Sequence, residues 1–217
     1  MDLLSAVISL IILIFSAIIH EIAHGFVAER LGDPTARLLG RLTLDPRKHI
    51  DPMMSIALPL ILLISGSPII IGAAKPVPVD PFNLRDGRKD LALVSLAGPL
   101  TNVVLAILAS LILKVIVTFE STGAFNAPEL LSFLIFIFTA IAKLNLLLAI
   151  FNLIPIPPLD GSKIFALLLP EKLANAFLSL GSIGIFIIFF LLLTPGELSL
   201  GRLIFSLLTF SEKLLGL

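Results

Sequence analysis

The sequence predicts an all-α polytopic membrane protein. We expect about four full transmembrane helices, a re-entrant hydrophobic hairpin, short β-strands near the polar centre, and a C-terminal interfacial or partly inserted helix. Three observations lead there. Only 14% of the 217 residues are charged, where a soluble domain carries about a quarter. The mean hydropathy is +1.12. The apolar residues come in long runs and not in alternating patterns. The formal net charge is zero, so no electrostatic argument favours nucleic acid as a partner, and the lipid bilayer is the expected surrounding. The chain has no cysteine, which excludes disulfides and thiolate metal sites. It has no Trp or Tyr either, so an interfacial aromatic belt falls to its 16 Phe.

Spanning the hydrocarbon takes about 20 apolar residues as a helix. Runs 3–28, 91–118, 130–154 and 173–193 meet that length. The first lacks a basic leader and a small-x-small cleavage site, so it reads as a retained span and not a signal peptide. Run 53–71 is marginal, with Pro59 inside it and the breaker cluster Gly66-Ser67-Pro68 near its end. Run 203–210 is short and flanked by Arg202, Glu212 and Lys213, as an interfacial or partly inserted helix would be. Segments 36–44 and 73–79 look extended, the second through prolines that suit an edge strand. No internal repeat is visible, and residues 1–217 read as one domain.

Loop charge sets the expected orientation. Arg30, Arg37, Arg41, Arg47 and Lys48 fall in loop 29–52, and Lys75, Arg85, Arg88 and Lys89 in loop 72–90, whereas loop 119–129 has only Glu120 and Glu129. The positive-inside rule puts both basic loops in the cytoplasm and the N-terminus outside. Since run 53–71 lies between two basic loops, it is expected to re-enter and not to cross. Such a hairpin must pack against protein, because lipid does not tolerate bare non-helical backbone.

Within the first run stands His20-Glu21-Ile22-Ala23-His24. Two histidines four residues apart on a helix project from one face and can hold one metal ion. Glu21 neighbours that face, placed to accept a proton from a water that zinc acidifies. The motif is short enough to occur by chance in a soluble helix. Inside a span it is expensive, and such residues are functional by default. At about 1.5 Å per residue, His20 lies about 15 Å and His24 about 9 Å from Arg30 along the helix. The metal would then sit inside the bilayer, in its cytoplasmic third, and water must reach it.

Catalytic zinc takes three protein ligands and keeps one position open. His49 and Asp160 are the candidates for the third. His49 stands among Arg47, Lys48 and Asp51, where a solvated or capping role fits better. Asp160 follows the prolines of Asn152-Leu-Ile-Pro-Ile-Pro-Pro-Leu-Asp160-Gly161, and alternating spans return it to the side of His24, which favours it. Asn145 and Asn152 are seven residues apart on one helix face, and both are expected to look into the cavity, although Asn145 could equally glue helices together. Asn102, four residues after Gly98, reads as a helix–helix contact. Lys143 lies mid-helix with no obvious acidic partner; snorkelling, lining water and a subunit contact stay open.

Together, HEIAH in the first span, Ala97-Gly98-Pro99-Leu100-Thr101-Asn102 in a later one, and NLIPIPPLDG after another resemble the site-2 protease family of intramembrane metalloproteases, over roughly residues 16–165. The resemblance is to its small prokaryotic type, since no stretch is long or polar enough for an inserted PDZ or CBS domain. It implies one Zn2+ per chain, bound by His20, His24 and Asp160, with Glu21 as catalytic base and Asn152 placing substrate or stabilising the reacting carbonyl. The substrate implied is a transmembrane protein cut within or near its span, in the cell membrane, with the active site towards the cytoplasm. Run 53–71 is a departure, since some relatives lack it. Two alternatives stand beside this reading: a non-proteolytic metal-binding transporter, which would be expected to show paired broken helices in two repeat halves, and an inactive adaptor, against which Glu21 speaks. The oligomeric state is not legible.

The orientation is testable with single cysteines, since the chain has none. Asp45→Cys and Arg85→Cys should both react with a membrane-impermeant thiol reagent only from the cytoplasmic face. Labelling of Arg85→Cys alone from outside would make run 53–71 a full span and invert every later helix.

Overall fold

The computed structural model describes residues 3–51, 57, 61, 75–121, 127–196 and 199–217. Three helices in it are long and apolar enough to cross a membrane. They are α1 (Leu3–Arg30), α3 (Gly87–Ser121) and α4 (Pro128–Asn152). Helices α1 and α3 cover the runs expected of them and add a few polar residues at their ends, while α4 begins two residues early and stops two short of its run, at Asn152. Between α1 and α3 come a single turn, α2 (Thr35–Leu38), and two 3-10 turns, Pro46–Lys48 and Pro81–Asn83. After α4 follow α5 (Asp160–Ala166), α6 (Glu171–Leu178), α7 (Gly181–Leu193) and α8 (Leu200–Leu215).

The three long helices alternate in direction. His20 and His24 of α1 bond to Asn102 and to the Val94 carbonyl of α3, so one helix rises where the other falls. Asn102 bonds to Asn145, while Ile116 and Phe119 line one small cavity with Leu131 and Leu134, so α3 and α4 are antiparallel as well. The polarity of the bundle is inverted relative to a soluble protein. Leu10, Phe15, Leu108 and Leu111 face outward, while Ser16, Asn102 and Asn145 are buried among small residues such as Ala106, Ala142 and Ala149. Without a hydrophobic drive between helices in lipid, small residues and hydrogen bonds hold the contacts.

Three sequence expectations change. Run 173–193 is not one helix: it breaks between α6 and α7 with a bend of 73°, and counts as a fourth span only if the bent pair is taken together. Gly184 of α7 explains the close approach there, because a Cβ on it would overlap the Pro157 carbonyl. No strand forms among the described residues. Residues 36–38 belong to α2, where Ala36 is enclosed against Gly25. Segment 75–79 is extended but makes no ladder, because Pro76 and Pro78 have no N–H. Its remaining amides go elsewhere, Lys75 N–H to the His49 carbonyl at 2.8 Å and Val77 N–H to Glu21 at 2.6 Å. Run 53–71 lies outside the described residues apart from Ala57 and Ile61.

The C-terminal run is longer than expected. Helix α8 has 16 residues, about 24 Å of helix. Ile204 packs in a cluster with Ile154 and Ile188, and Glu212 meets Lys143 at 3.4 Å. These contacts lay α8 antiparallel along α4, and they supply the acidic partner for Lys143 that the sequence did not reveal.

One buried carboxylate ties the loops that frame the polar centre. Asp33 is fully enclosed. It accepts from Thr35 N–H and the Thr35 hydroxyl, from Asn83 Nδ2 at 3.0 Å and from Asp80 N–H at 2.7 Å. It thereby fixes segment 75–83 to the end of α1. Burial pushes its carboxyl up, but the hydrogen bonds from Thr35, Asn83 and the Asp80 amide more than reverse that and hold it below the usual range. A depressed carboxylate adds stability that is present above its unfolded value and lost as pH falls through its folded value. Asp33→Ala should lower stability by roughly 1–3 kcal/mol, the penalty for stranded buried donors. Thermal unfolding in detergent from pH 7 down to about pH 3 should lose a component in the wild type that Asp33→Asn lacks.

Candidate metal centre

His20 and His24 lie on the inner face of α1, and Asp160 opens α5. The prolines at 155, 157 and 158 end the path of α4. Gly161 lets the new helix start against it, since a Cβ there would overlap the Leu153 and Ile154 carbonyls. All three side chains are buried. His20 Nε2 and His24 Nε2 are 3.0 Å apart, and they lie 3.2 and 3.1 Å from Asp160 Oδ2. Donors arranged tetrahedrally around zinc at about 2.0–2.1 Å would sit about 3.3 Å apart. The triangle fits the ion closely.

The protonation pattern supports the same ion. His24 Nδ1 donates to the Val94 carbonyl at 2.6 Å, so its hydrogen is there. His20 Nδ1 lies 2.5 Å from Asn102 Oδ1. The amide orientation behind it follows from the network. Asn145 Nδ2 donates to the Ile141 carbonyl at 2.8 Å and to Ser16 Oγ at 2.9 Å. Its Oδ1 therefore accepts from Asn102 Nδ2 at 2.7 Å, which turns Asn102 Oδ1 towards His20. Both rings thus carry hydrogen on Nδ1 and direct a lone pair from Nε2 at a carboxylate oxygen. Three acceptors about 3 Å apart with no hydrogen between them repel. A cation among them turns that repulsion into binding.

Other residues complete the shell. A Cβ on Gly98 would lie 2.5 Å from His24 Nε2 and 2.6 Å from His20 Cε1, so only glycine leaves room for both rings. Lys163 Nζ holds Asp160 Oδ1 at 3.2 Å, which leaves Oδ2 to the centre. Glu21 stands beside the triangle, with Oε2 accepting from Val77 N–H. The centre opens into a cavity of about 500 Å³ that Glu21, Asn152 and Lys163 also line.

Peptidase family M50 matches residues 8–194. The chain belongs to this family. "Putative zinc metalloprotease YwhC" of Bacillus subtilis is 37% identical over 187 residues, 85% of this chain and 80% of that protein. "Putative zinc metalloprotease Rip2" of Mycobacterium tuberculosis is 35% identical over 146 residues, 67% of this chain but only 51% of the relative, so the chain spans about half its length. A protein of the same name from Mycolicibacterium smegmatis is 32% identical over 197 residues, 89% of this chain and 68% of that protein. No solved structure matches. Membership makes this M50 chain a multi-pass membrane metalloprotease of the site-2 protease family, with zinc as its cofactor.

The structure brings His20, His24 and Asp160 together, and among the described residues they form the one group of three or more such side chains that could hold a metal. His49 is elsewhere: it is buried, its Nε2 donates to the Thr43 carbonyl at 2.8 Å, and its own carbonyl accepts from Lys75. Asn152 lines the cavity as expected, with Nδ2 donating to the Leu148 carbonyl at 3.0 Å. Asn145 does not. It is fully buried behind Asn102, because its amide is consumed by the network among α1, α3 and α4. Asn102 in turn does more than join helices: it orients a ring of the metal site. The spacing Gly98…Asn102 carried that signal, since the glycine that admits the rings and the amide that holds one share a helix face.

The purified M50 chain should hold about one zinc. His24→Ala and Asp160→Ala should each lose it, and His49→Ala should keep it. Asn102→Ala should weaken zinc binding by about 10–100-fold, the usual effect of removing the partner of a ligand histidine. Competition with a chromophoric chelator reads each value.

Proposed function

We propose that this chain is an intramembrane zinc endopeptidase that hydrolyses peptide bonds within or near the transmembrane segments of other membrane proteins, in regulated intramembrane proteolysis. The observation that carries the reading is a buried triangle of metal-binding lone pairs, inside helices fit for lipid, beside a carboxylate and an open cavity. In this reading residues 1–217 act as one membrane-embedded domain of the cell membrane. Its N-terminus lies outside and its active site lies towards the cytoplasm, by the basic loops on that side.

His20, His24 and Asp160 hold the metal, which when bound supplies a Lewis acid for the peptide carbonyl and for water. Glu21 takes the proton of the attacking water through its free oxygen and delivers it to the leaving amine. Val77 N–H occupies the other oxygen and keeps the carboxylate from turning away. Lys163 fixes Asp160, and the Asn102 relay fixes His20, so neither ligand swings as charge moves. Asn152 meets substrate in the cavity. Asn145 acts one step removed, through Asn102. A substrate helix hides its carbonyls in its own hydrogen bonds, so it must unwind before any of this applies.

Glu21→Gln should keep zinc and fold while cleavage falls by about 10²–10⁴-fold, the usual contribution of a general base. Co-expression with single-span membrane proteins, comparing cleavage products of wild type and variant, checks it. Turnover close to wild type would remove Glu21 from the base role.

A further inference from the structure

One polar group in the cavity has no use in the mechanism above. Ser95 is on α3, 1% exposed, and it lines the same cavity as His20, Glu21 and His24. Its hydroxyl has no hydrogen-bond partner among the described residues. That is unusual for a helical hydroxyl, which ordinarily donates to the carbonyl one turn back. On the same helix Thr101 and Ser110 do so, to Ala97 and Ala106, each at 2.8 Å. Ser95 also lacks the ordinary partner of its own carbonyl, because residue 99 is proline and has no N–H to give. A buried donor left open in this way calls for an explanation.

Its place says which partner. Val94 next to it receives His24 Nδ1, and Gly98 one turn on abuts both histidine rings. Ser95 thus belongs to the stretch of α3 that forms the wall of the centre. Of the other polar groups lining the cavity, Lys163 donates to Asp160, Asn152 donates one N–H to the Leu148 carbonyl and keeps the other, and Glu21 is an acceptor. A peptide carbonyl under attack becomes an oxyanion and needs a donor.

We propose that Ser95 is a further catalytic residue, whose Oγ–H donates a hydrogen bond to the carbonyl oxygen of the scissile peptide. The inference rests on the proteolytic reading above. Water oxygen bonds to the carbonyl carbon, and the C=O π pair moves onto the oxygen, where the Ser95 hydroxyl meets it without giving up its proton. As that pair returns, the C–N bond breaks and the amine leaves with the proton carried by Glu21. The hydroxyl helps because the bond to a charged oxygen is stronger than the one to a neutral carbonyl.

The test uses the zinc-loaded full chain in lipid vesicles, with two probes. One is a quenched-fluorescent peptide bearing a 20-residue Leu/Ala span; the other is a phosphinic dileucine peptide, whose tetrahedral oxygens mimic the oxyanion. Ser95→Ala should lower kcat by roughly 100-fold with KM little changed, as removal of one such donor does. The inhibition constant of the phosphinic peptide should rise by a similar factor. Zinc content should stay at one per chain, and Tm should hold or rise, because the variant removes an unpartnered hydroxyl and breaks no internal bond. Ser95→Cys, close in size and a weak donor, should show the same loss. Wild-type turnover and inhibitor binding retained in Ser95→Ala would overturn the proposal. So would a loss of activity that follows a fall in Tm or zinc. A wild type that neither cuts the peptide nor binds the inhibitor would instead overturn the proteolytic reading itself.

Discussion

A polar group carried into hydrocarbon must find its partner inside the protein, and His20 is where that requirement is met most fully. Its Nδ1 hydrogen leads through Asn102 and Asn145 to the Ile141 carbonyl, a backbone atom that can only accept. Because the far end of this relay is fixed, every amide in it has one orientation, and so does the ring. The same four groups bind α1, α3 and α4 to each other in a bundle whose apolar contacts discriminate poorly in lipid. The metal site and the helix packing are therefore one structure. A change in the relay would be felt as a change in the ligand and not only as lost packing.

Around that core the loops are held by backbone amides with one available destination. In segment 75–80 the prolines at 76 and 78 remove alternate N–H groups. Those of Lys75, Val77 and Asp80 go to His49, Glu21 and Asp33 in turn. This spacing forbids a ladder and explains why a strand does not form where the sequence suggested one. It also brings Val77 against Gly25, where a Cβ would meet Val77, Ala36 and Leu42 at 2.7–2.8 Å. The glycine directly after the HEIAH motif thus lets the loops close over the end of α1.

Legibility differed by kind of residue. The three long spans were legible because lipid demands unbroken apolar length, a property of consecutive residues. His20, Glu21 and His24 were legible because four-residue spacing on a helix already fixes which groups share a face. Asp160 required the count of spans that returns it to the same side, and the family resemblance carried the rest. Of the two places open to Asn145 in sequence, the structure gives the helix contact. Asn145 and Asn152 share a helix face, yet one is enclosed between three helices and the other meets the cavity, since the face they share runs past the neighbouring helices at one level and beyond them at another. Ser95 and Lys163 gave no signal in sequence at all.

The sequence by itself determined the class of environment, three of the long spans and the pairing of His20 with His24 on one helix face, because these depend on residue type and local spacing. Only the tertiary structure decided which nitrogen of each histidine is free, which asparagine touches the cavity, that α8 lies along α4 with Glu212 on Lys143, and that the Ser95 hydroxyl has no partner among the described residues. Each of these depends on what a second helix, distant in sequence, places within about 3 Å of a polar atom, and hydrogen bonds are decided at that range.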